Sequence, residues 1–477
     1  MMRKTLTLVA AMGLLVAACG DDEESDAGST STAAAETTAA PETTGAPDST
    51  SVETTAGGSD ASGVTLDEAG RLVPAECTGD DNVANEDEGV TEDKVNLAAL
   101  NMDLKPVADL GFSASDRDMS YMKSVFIDAA NATGGVCGRT IDLQQVLFNI
   151  LAGASAIGEG CVEVTQDRAN LAVLSGHFQD PLCITAAGVP LLVGYDITEA
   201  EMADSDGLLF SRYPSVNDQY RATAQYALDS GALDGKVGVW YGEVETELGD
   251  VAEDVVLPML DAADIDYTAV RTDYAGPQDP QGNAVLTAAA TEFASAGVDT
   301  VLTFVGNMNL SGLQLELDAQ GVTPHYISMP IAGNSANELF AVAMGTGEIT
   351  DGMEYVTFSE GLTELDASNP IAKSCNDQWT ELTGEVVEPN TYGYLLVTVM
   401  CVTVDETIAA LSLAGGDLTR ESFVKALDAL PSHEPTPFFG ATDWSPEYRF
   451  GPAVFSVQDF DGATNTVSTR EETFTVR

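Results

Sequence analysis

Asn131-Ala132-Thr133-Gly134-Gly135-Val136-Cys137-Gly138-Arg139-Thr140-Ile141 ends one structural pattern and begins another. Upstream, Met119–Ala132 reads as a helix, and Gly134 supplies the left-handed residue that a helix C-terminus prefers. Downstream, Thr140–Val146 reads as a strand. A helix that stops at glycine and feeds a strand is part of a βαβ unit, and the same alternation recurs along the chain from Lys94. Further strands are expected at Val95–Leu100, Leu171–Leu174, Pro190–Val193, Val237–Trp240, Tyr267–Val270, Thr300–Phe304 and His325–Ser328. Helices are expected at Ser155–Thr165, Gln219–Asp229, Val251–Ala262, Asn283–Ala296 and Leu310–Gln320, with Gly297 and Gly321 ending the last two. Thr198-Glu199-Ala200-Glu201 has capping-box spacing and predicts another short helix. The alternation is long enough for two successive, mainly parallel sheets.

Later in the chain, Tyr392–Leu413 is apolar enough to raise the question of a membrane span. Asp405 and Glu406 interrupt it, so a helix buried against a sheet is the better reading. Thr419–Leu430 reads as a further helix, and an aromatic strand at Ala453–Phe460 turns at Asp461-Gly462.

The whole chain has 477 residues, 19 Lys plus Arg against 76 Asp plus Glu, and a formal net charge of −57. Phosphate binding needs clustered Lys and Arg, so nucleic acid is excluded as a partner, and attraction to anionic lipid is disfavoured for the same reason. The acidity acts as surface solvation. At the N-terminus, Arg3 and Lys4 precede an apolar run from Leu6 to Val16, too short to span a bilayer, followed by Val16-Ala17-Ala18-Cys19. This resembles the lipobox of bacterial lipoprotein signal peptides, which implies cleavage after residue 18 and acylation of Cys19. Residues 19–87 then read as the acylated cysteine and an acidic Ser/Thr/Ala/Pro-rich tether, because Gly20 to about Gly63 has almost no large apolar residue and cannot form a core.

Six cysteines remain, an even number that suggests three disulfides in an exported protein. Proximity and fold favour Cys77 with Cys137, Cys161 with Cys183 and Cys375 with Cys401. The three histidines, His177, His325 and His433, are isolated, and no cysteine pair has metal-ligand spacing, so no metal or cofactor is expected. The nucleophile-elbow, zinc-protease, phosphate-loop and dinucleotide-binding motifs are all missing, and an enzyme is not expected.

The opening stretch also looks like the "N-A-x-G-G-v-x-G-r-x-i" turn of type I periplasmic binding proteins, the leucine/isoleucine/valine-binding family of ABC-importer receptors. Gly89–Val95 is similar to the approach to the first strand in actinobacterial members. Phe210-Ser211-Arg212-Tyr213-Pro214-Ser215 and Gly352–Val356 resemble the first and second crossings between lobes, and Asp417–Leu427 resembles a late family helix. The likeness covers residues 88 to the end. It implies two lobes, each a mainly parallel sheet flanked by helices, joined by hinge strands. Residues 88–213 and 357–437 would form lobe I, and residues 214–356 and 438–477 lobe II. A small solute would be captured between them and delivered to an ABC permease and its ATPase, by a monomer on the extracytoplasmic face of the membrane, held there only by its lipid anchor. A ligand sensor or surface interaction lipoprotein on the same fold is the alternative.

Strand ends supply the candidate solute contacts. In lobe I these are Gly176, His177 and Phe178, then Tyr195 and Asp196 after the next strand, with Ser215 at the crossing. The family often has hydroxyl residues after the glycine, and here they are absent. In lobe II the candidates are Tyr241 and Glu243, Phe304 and Asn307, and Met329 as apolar wall. Glu243 or Glu245 would pair with a solute ammonium. Arg212 is expected to fix the hinge by hydrogen-bonding loop carbonyls.

Overall fold

The computed structural model describes residues 63–77, 82–103, 105, 119–149, 154–176, 180–242, 246–272, 282–329, 341, 345–361 and 364–476. The signal segment, Cys19 and the tether up to residue 62 lie outside these residues.

A small hairpin of β1 (Thr65–Leu66) and β2 (Leu72–Val73) comes first. Then follow β3 (Lys94–Met102), α1 (Met119–Ala132), β4 (Thr140–Phe148), α2 (Ala154–Val162), β5 (Ala172–Ser175), α3 (Pro181–Thr185), β6 (Leu191–Val193), α4 (Glu199–Asp204) and β7 (Leu209–Ser211). Their five strands form a parallel sheet in the order β4-β3-β5-β6-β7. The second run is α5 (Val216–Ser230), β8 (Val237–Tyr241), α6 (Thr246–Val251), α7 (Leu257–Ala262), β9 (Tyr267–Arg271), α8 (Gly282–Ala296), β10 (Thr300–Phe304), α9 (Asn307–Ala319), β11 (His325–Ser328) and β12 (Glu354–Thr357). The chain then adds α10 (Pro370–Thr383), α11 (Tyr392–Ala414) and α12 (Arg420–Leu427), and ends in β13 (Val454–Asp461), β14 (Thr466–Thr469) and β15 (Phe474–Thr475). The second sheet runs β14-β13-β12-β11-β10-β8-β9, parallel from β9 to β12 and antiparallel beyond it. The fold is two-lobed α/β, as expected.

The stretch at 131–141 is built for geometry. The Asn131 side chain donates to the Ile141 carbonyl and accepts from its amide, both at 2.8 Å, so one amide group zips the end of α1 to the start of β4. Gly135 has φ +68°, and a Cβ there would lie 1.9 Å from the Arg139 carbonyl oxygen, so no other residue fits the turn. Arg139 is buried and donates to the carbonyls of Thr91, Val83 and Gly416 at 2.9 Å. Three chain segments are tied by one guanidinium.

The long helix α11 is long and apolar enough to cross a membrane, yet 83% of its most apolar window is buried within the protein. It packs in the first lobe's core with α1, α10 and α12, where Phe126, Trp379, Val397 and Phe423 meet. Asp405 and Glu406 are accommodated by pairing: Arg71 Nε bonds Asp405 at 2.8 Å, and Glu406 faces His433 and Arg212.

Arg71 also shows that the folded body begins earlier than residue 88. Val64 and Leu72 are buried in the first core, Arg71 reaches Ser374 and Asp405, and Cys77 is bonded to Cys137. Residues 63–77 therefore form a strap on α10 and α11, which corrects their assignment to the tether; the polar composition around them concealed two apolar anchors and one buried cation. Cys161 is bonded to Cys183 and Cys375 to Cys401. In the chain-entropy account the two shorter loops contribute about 3 kcal/mol each and the longer one about 4 kcal/mol. Cys375, Cys401 and Asp405 lie together, but the sulfurs are spent on the disulfide and offer no thiolate to a metal.

Strand and helix boundaries lie within a few residues of expectation for most elements. The exceptions are β1, β2, α3, β7, α6, β12, α10 and β15. The short strands β7 and β12, read from sequence as crossing segments, are strands that run into the crossings. Helix α10 starts at Pro370, with the Asn369 side chain accepting from the Ile371 and Ala372 amides. The capping box predicted at Thr198 is present on α4.

Candidate functional site

In an open parallel sheet, adjacent loops diverge where strand order reverses, and a crevice opens beyond the carboxyl ends of those two strands. Here the reversal falls between β3 and β5 in the first sheet and between β8 and β10 in the second. The corresponding strand ends are Asn101 and Met102 with Ser175 and Gly176, and Tyr241 and Gly242 with Phe304 and Val305. Gly176, Tyr241 and Phe304 are among the expected residues.

The two sheets are joined by crossings at residues 212–215, 358–361 and 431–453. One aromatic from each meets the other two: Tyr213, Phe358 and Phe438 have ring centroids 4.9, 5.0 and 5.7 Å apart. Backbone bonds lace the crossings together, with Phe439 N–H donating to Phe358 O and Gly451 N–H donating to Tyr213 O, each at 2.9 Å. Trp444 Nε1 donates to Ser211 O at 3.0 Å. Tilted and edge-on ring contacts of this kind add to the burial energy and hold the three crossings together.

Arg212 is buried at the first crossing. It donates to Val399 O at 3.0 Å, and its Nε lies 3.9 Å from Glu406. His433 sits beyond Glu406, with Nε2 3.2 Å from Glu406 Oε1 and Nδ1 3.0 Å from Pro431 O. Arg212 thus holds a carbonyl of helix α11, where loop carbonyls were expected, and faces a carboxylate that the sequence did not single out.

Close to this hinge, Asp196 accepts from Gln219 Nε2 at 2.9 Å, bridging the end of β6 to α5. Burial, then Asp196, raises the Tyr213 hydroxyl well above the ordinary tyrosine value, against the opposing pull of Arg212. Burial pushes Tyr392, the first residue of α11, up to about 12. Both phenols therefore stay protonated at neutral pH and serve as hydrogen-bonding groups. Tyr195, next to Asp196 in sequence, is buried and packs in the first lobe's second apolar cluster.

In the second lobe, Tyr241 is buried at the end of β8, and its hydroxyl lies 3.3 Å from Glu253 Oε1. Burial and Glu253 raise its pKa. Four expectations need correction here and in the first lobe. The Gly176 N–H donates to Asn101 Oδ1 at 2.8 Å, so it is spent within the protein. Phe304 is fully buried against Tyr220, with centroids 4.8 Å apart, because strand alternation turns its ring to α5. The Ser215 hydroxyl accepts from the Asp218 amide at 2.9 Å as the N-cap of α5. Met329 is buried in the same core as Phe304. His177, Phe178, Glu243 and Glu245 lie outside the described residues, and Asn307 opens α9 with its side chain outside them.

Among the described residues, both histidines are paired with glutamates, His325 with Glu354 at 3.0 Å and His433 with Glu406, and neither faces a hydroxyl or thiol nucleophile. An open groove lined by Thr287, Thr291 and Glu292 lies along α8, away from the strand ends. The arrangement suits reversible enclosure of a small molecule.

Comparison with known proteins agrees with that geometry. A family model described as periplasmic binding protein matches residues 182–460. Among solved structures, a fatty acid ABC transporter substrate-binding protein from Thermomonospora curvata is 15% identical, with a TM-score of 0.61 over 82% of this chain and 95% of that one. A branched chain amino acid ABC transporter from Thermus thermophilus with bound valine is 13% identical, with a TM-score of 0.59 over 80% and 97%. The branched-chain amino acid transporter substrate binding protein LivJ from Streptococcus pneumoniae, in complex with isoleucine, is 16% identical, with a TM-score of 0.57 over 80% and 99%. At such identities the likeness speaks for the fold. No curated protein sequence matches.

Proposed function

The chain belongs to the periplasmic binding protein family, and from that premise we propose that it is the solute-capturing component of an ABC importer. It would hold a small solute between its lobes and pass it to a permease and ATPase. The observation that carries this reading is the pairing of two strand-order reversals, one in each sheet, with three crossings gathered on the Tyr213–Phe358–Phe438 cluster. In this reading residues 88–213 and 357–437 act as lobe I, now with the 63–77 strap, and residues 214–356 and 438–477 as lobe II. Tyr195, Asp196 and Tyr241 contribute solute contacts, together with Tyr213 and Tyr392 from the hinge side. His177, Phe178, Glu243 and Asn307 remain proposed contacts.

Three disulfides support an extracytoplasmic location, because such bonds persist in oxidising compartments. Acylation at Cys19 would anchor the protein through a tether that ends at the strap. The solute is an amino acid, an amide or a related small compound, and the named ligands of the similar structures add a fatty acid to the classes worth testing. A thermal-shift screen with amino acids, amides, urea, small carboxylates and medium-chain fatty acids tests the proposal. A solute at a hundred times its dissociation constant stabilises the folded state by about 2.7 kcal/mol. One class of hit, weakened by Tyr241→Ala, supports capture; a folded, ligand-free protein that responds to none refutes it.

A further inference from the structure

The reversal between β3 and β5 is floored by a buried polar group that no apolar strand or helix needs for packing. Asn101, the penultimate residue of β3, is fully buried, as are Ser120 and Lys123 on the inner face of α1. Asn101 Oδ1 accepts from the Gly176 amide at 2.8 Å and from Lys123 Nζ at 3.1 Å, while Asn101 Nδ2 donates to Ser120 Oγ at 2.6 Å. Lys123 Nζ also donates to the Leu174 carbonyl at 3.2 Å. A Cβ on residue 176 would fall 2.9 Å from Asn101 Oδ1 and 3.1 Å from Met119 Sδ, so the backbone of Gly176 is pressed directly onto this network. Burying an ammonium is costly unless its hydrogen bonds are made, and the same volume filled by methionine would pack on Met119, Met122 and Phe126 without that cost. A network retained at such a cost, at the one place where the first sheet opens, points to a role beyond stability.

We propose that Asn101 and Lys123 are positioning residues of the solute site: they fix the carboxyl ends of β3 and β5 and the direction in which the chain leaves Gly176. The inference rests on the solute-capture reading for its consequence and on the hydrogen bonds alone for its mechanism. Asn101 is the pivot, since its one oxygen receives both the amide of β5's successor and the cation of α1. Lys123 keeps that oxygen in place and ties it to the last carbonyl before Ser175. The nearest conservative change is Asn101→Asp, which keeps acceptors for both donors; Asn101→Leu and Lys123→Met remove one partner each with little change in volume.

The test has two readouts on the full chain. Hydrogen exchange resolved at the Gly176 amide, measured without solute, should accelerate about tenfold in Asn101→Leu and in Lys123→Met while β8 and β10 stay protected, and should stay near wild type in Asn101→Asp. Calorimetric titration with L-isoleucine and with octanoate should show about tenfold weaker binding in the first two variants and near-native binding in the third. Unchanged Gly176 exchange in both disruptive variants overturns the proposal, as does equal loss of affinity in Asn101→Asp and Asn101→Leu. If Asn101→Leu does not fold, Lys123→Met and Asn101→Asp carry the comparison. Failure of wild-type protein to bind either probe counts against solute capture by these classes, and the exchange result still decides whether the network sets Gly176.

Discussion

Glu354 offers the most direct quantitative test of the electrostatics in the second lobe. It lies on β12, half-buried, and receives the Tyr226 hydroxyl at 2.6 Å, faces His325 Nε2 at 3.0 Å and pairs with Arg470. Burial alone would raise its pKa; the hydrogen bonds from His325, Tyr226 and Arg470 outweigh that and lower it from 4.5 to about 2. A carboxylate whose folded pKa is depressed adds stability that is complete above its unfolded value and is lost as pH falls toward the folded one. The full shift corresponds to about 3 kcal/mol, and partial exposure of Arg470 and His325 reduces the expected value to about 2 kcal/mol. Glu354→Gln keeps the shape and removes the charge. Urea denaturation of wild type and variant from pH 7 to pH 3 should show the variant weaker by about 2 kcal/mol at pH 7, with the gap shrinking below pH 4.5 to under half by pH 3. A gap that is constant with pH, or that widens on acidification, would refute the assignment of the shift to these three donors.

Glu360, beside the second crossing, should behave in the opposite way. Burial, with Glu364, Asp366 and Glu434 nearby, raises it to about 7, so the folded state holds a proton that the unfolded chain releases above pH 4.5, and stability is lost as pH climbs through 7. Glu360→Gln should match wild type at pH 4 and exceed it by about 1–3 kcal/mol at pH 8 in thermal or urea unfolding; no gain at pH 8 rejects the shift. Arg71→Met leaves Asp405 buried without its cation and should cost about 3–5 kcal/mol, while the double variant Arg71→Met with Asp405→Leu should recover most of that; equal losses in single and double variants would show that the unpaired Asp405 charge is not the source of the cost.

The alternation of short apolar runs with helical stretches was legible because backbone periodicity reports burial, and burial is what a doubly covered parallel sheet imposes on every strand. β10 and β11 span the expected residues, Thr300–Phe304 and His325–Ser328. Less legible were elements whose residues serve two surroundings. The 63–77 strap has only Val64, Leu72 and one cation to declare it, within a chain of small polar residues. Asn101 and Lys123 look like exceptions to their own patterns, and a buried polar residue in an apolar element was the one signal that could have singled them out. Their meaning lies in partners on other elements, since Asn101 meets Gly176 across 75 positions of sequence. Phe304 erred in the other direction: a strand-end position suggested a cleft wall, and the alternation of side chains put it in the core.

That contrast bears on why family likeness can be plain while the solute is not. The stretch at 131–141 is recognisable because Asn131, Gly135 and Arg139 each satisfy a backbone requirement, two hydrogen bonds to Ile141, a turn without room for a Cβ, and three carbonyls from separate segments. None of these depends on what is bound. The ring contacts among Tyr213, Phe358 and Phe438 likewise belong to the crossings. Solute choice falls instead to side chains at loop ends, where a single hydroxyl or carboxylate changes the class accepted and no backbone constraint fixes its type. The scaffold therefore carries the sequence signal, and in the proposed reading the chemistry of selection would rest on residues such as Asp196 and Tyr241, whose types the fold does not specify.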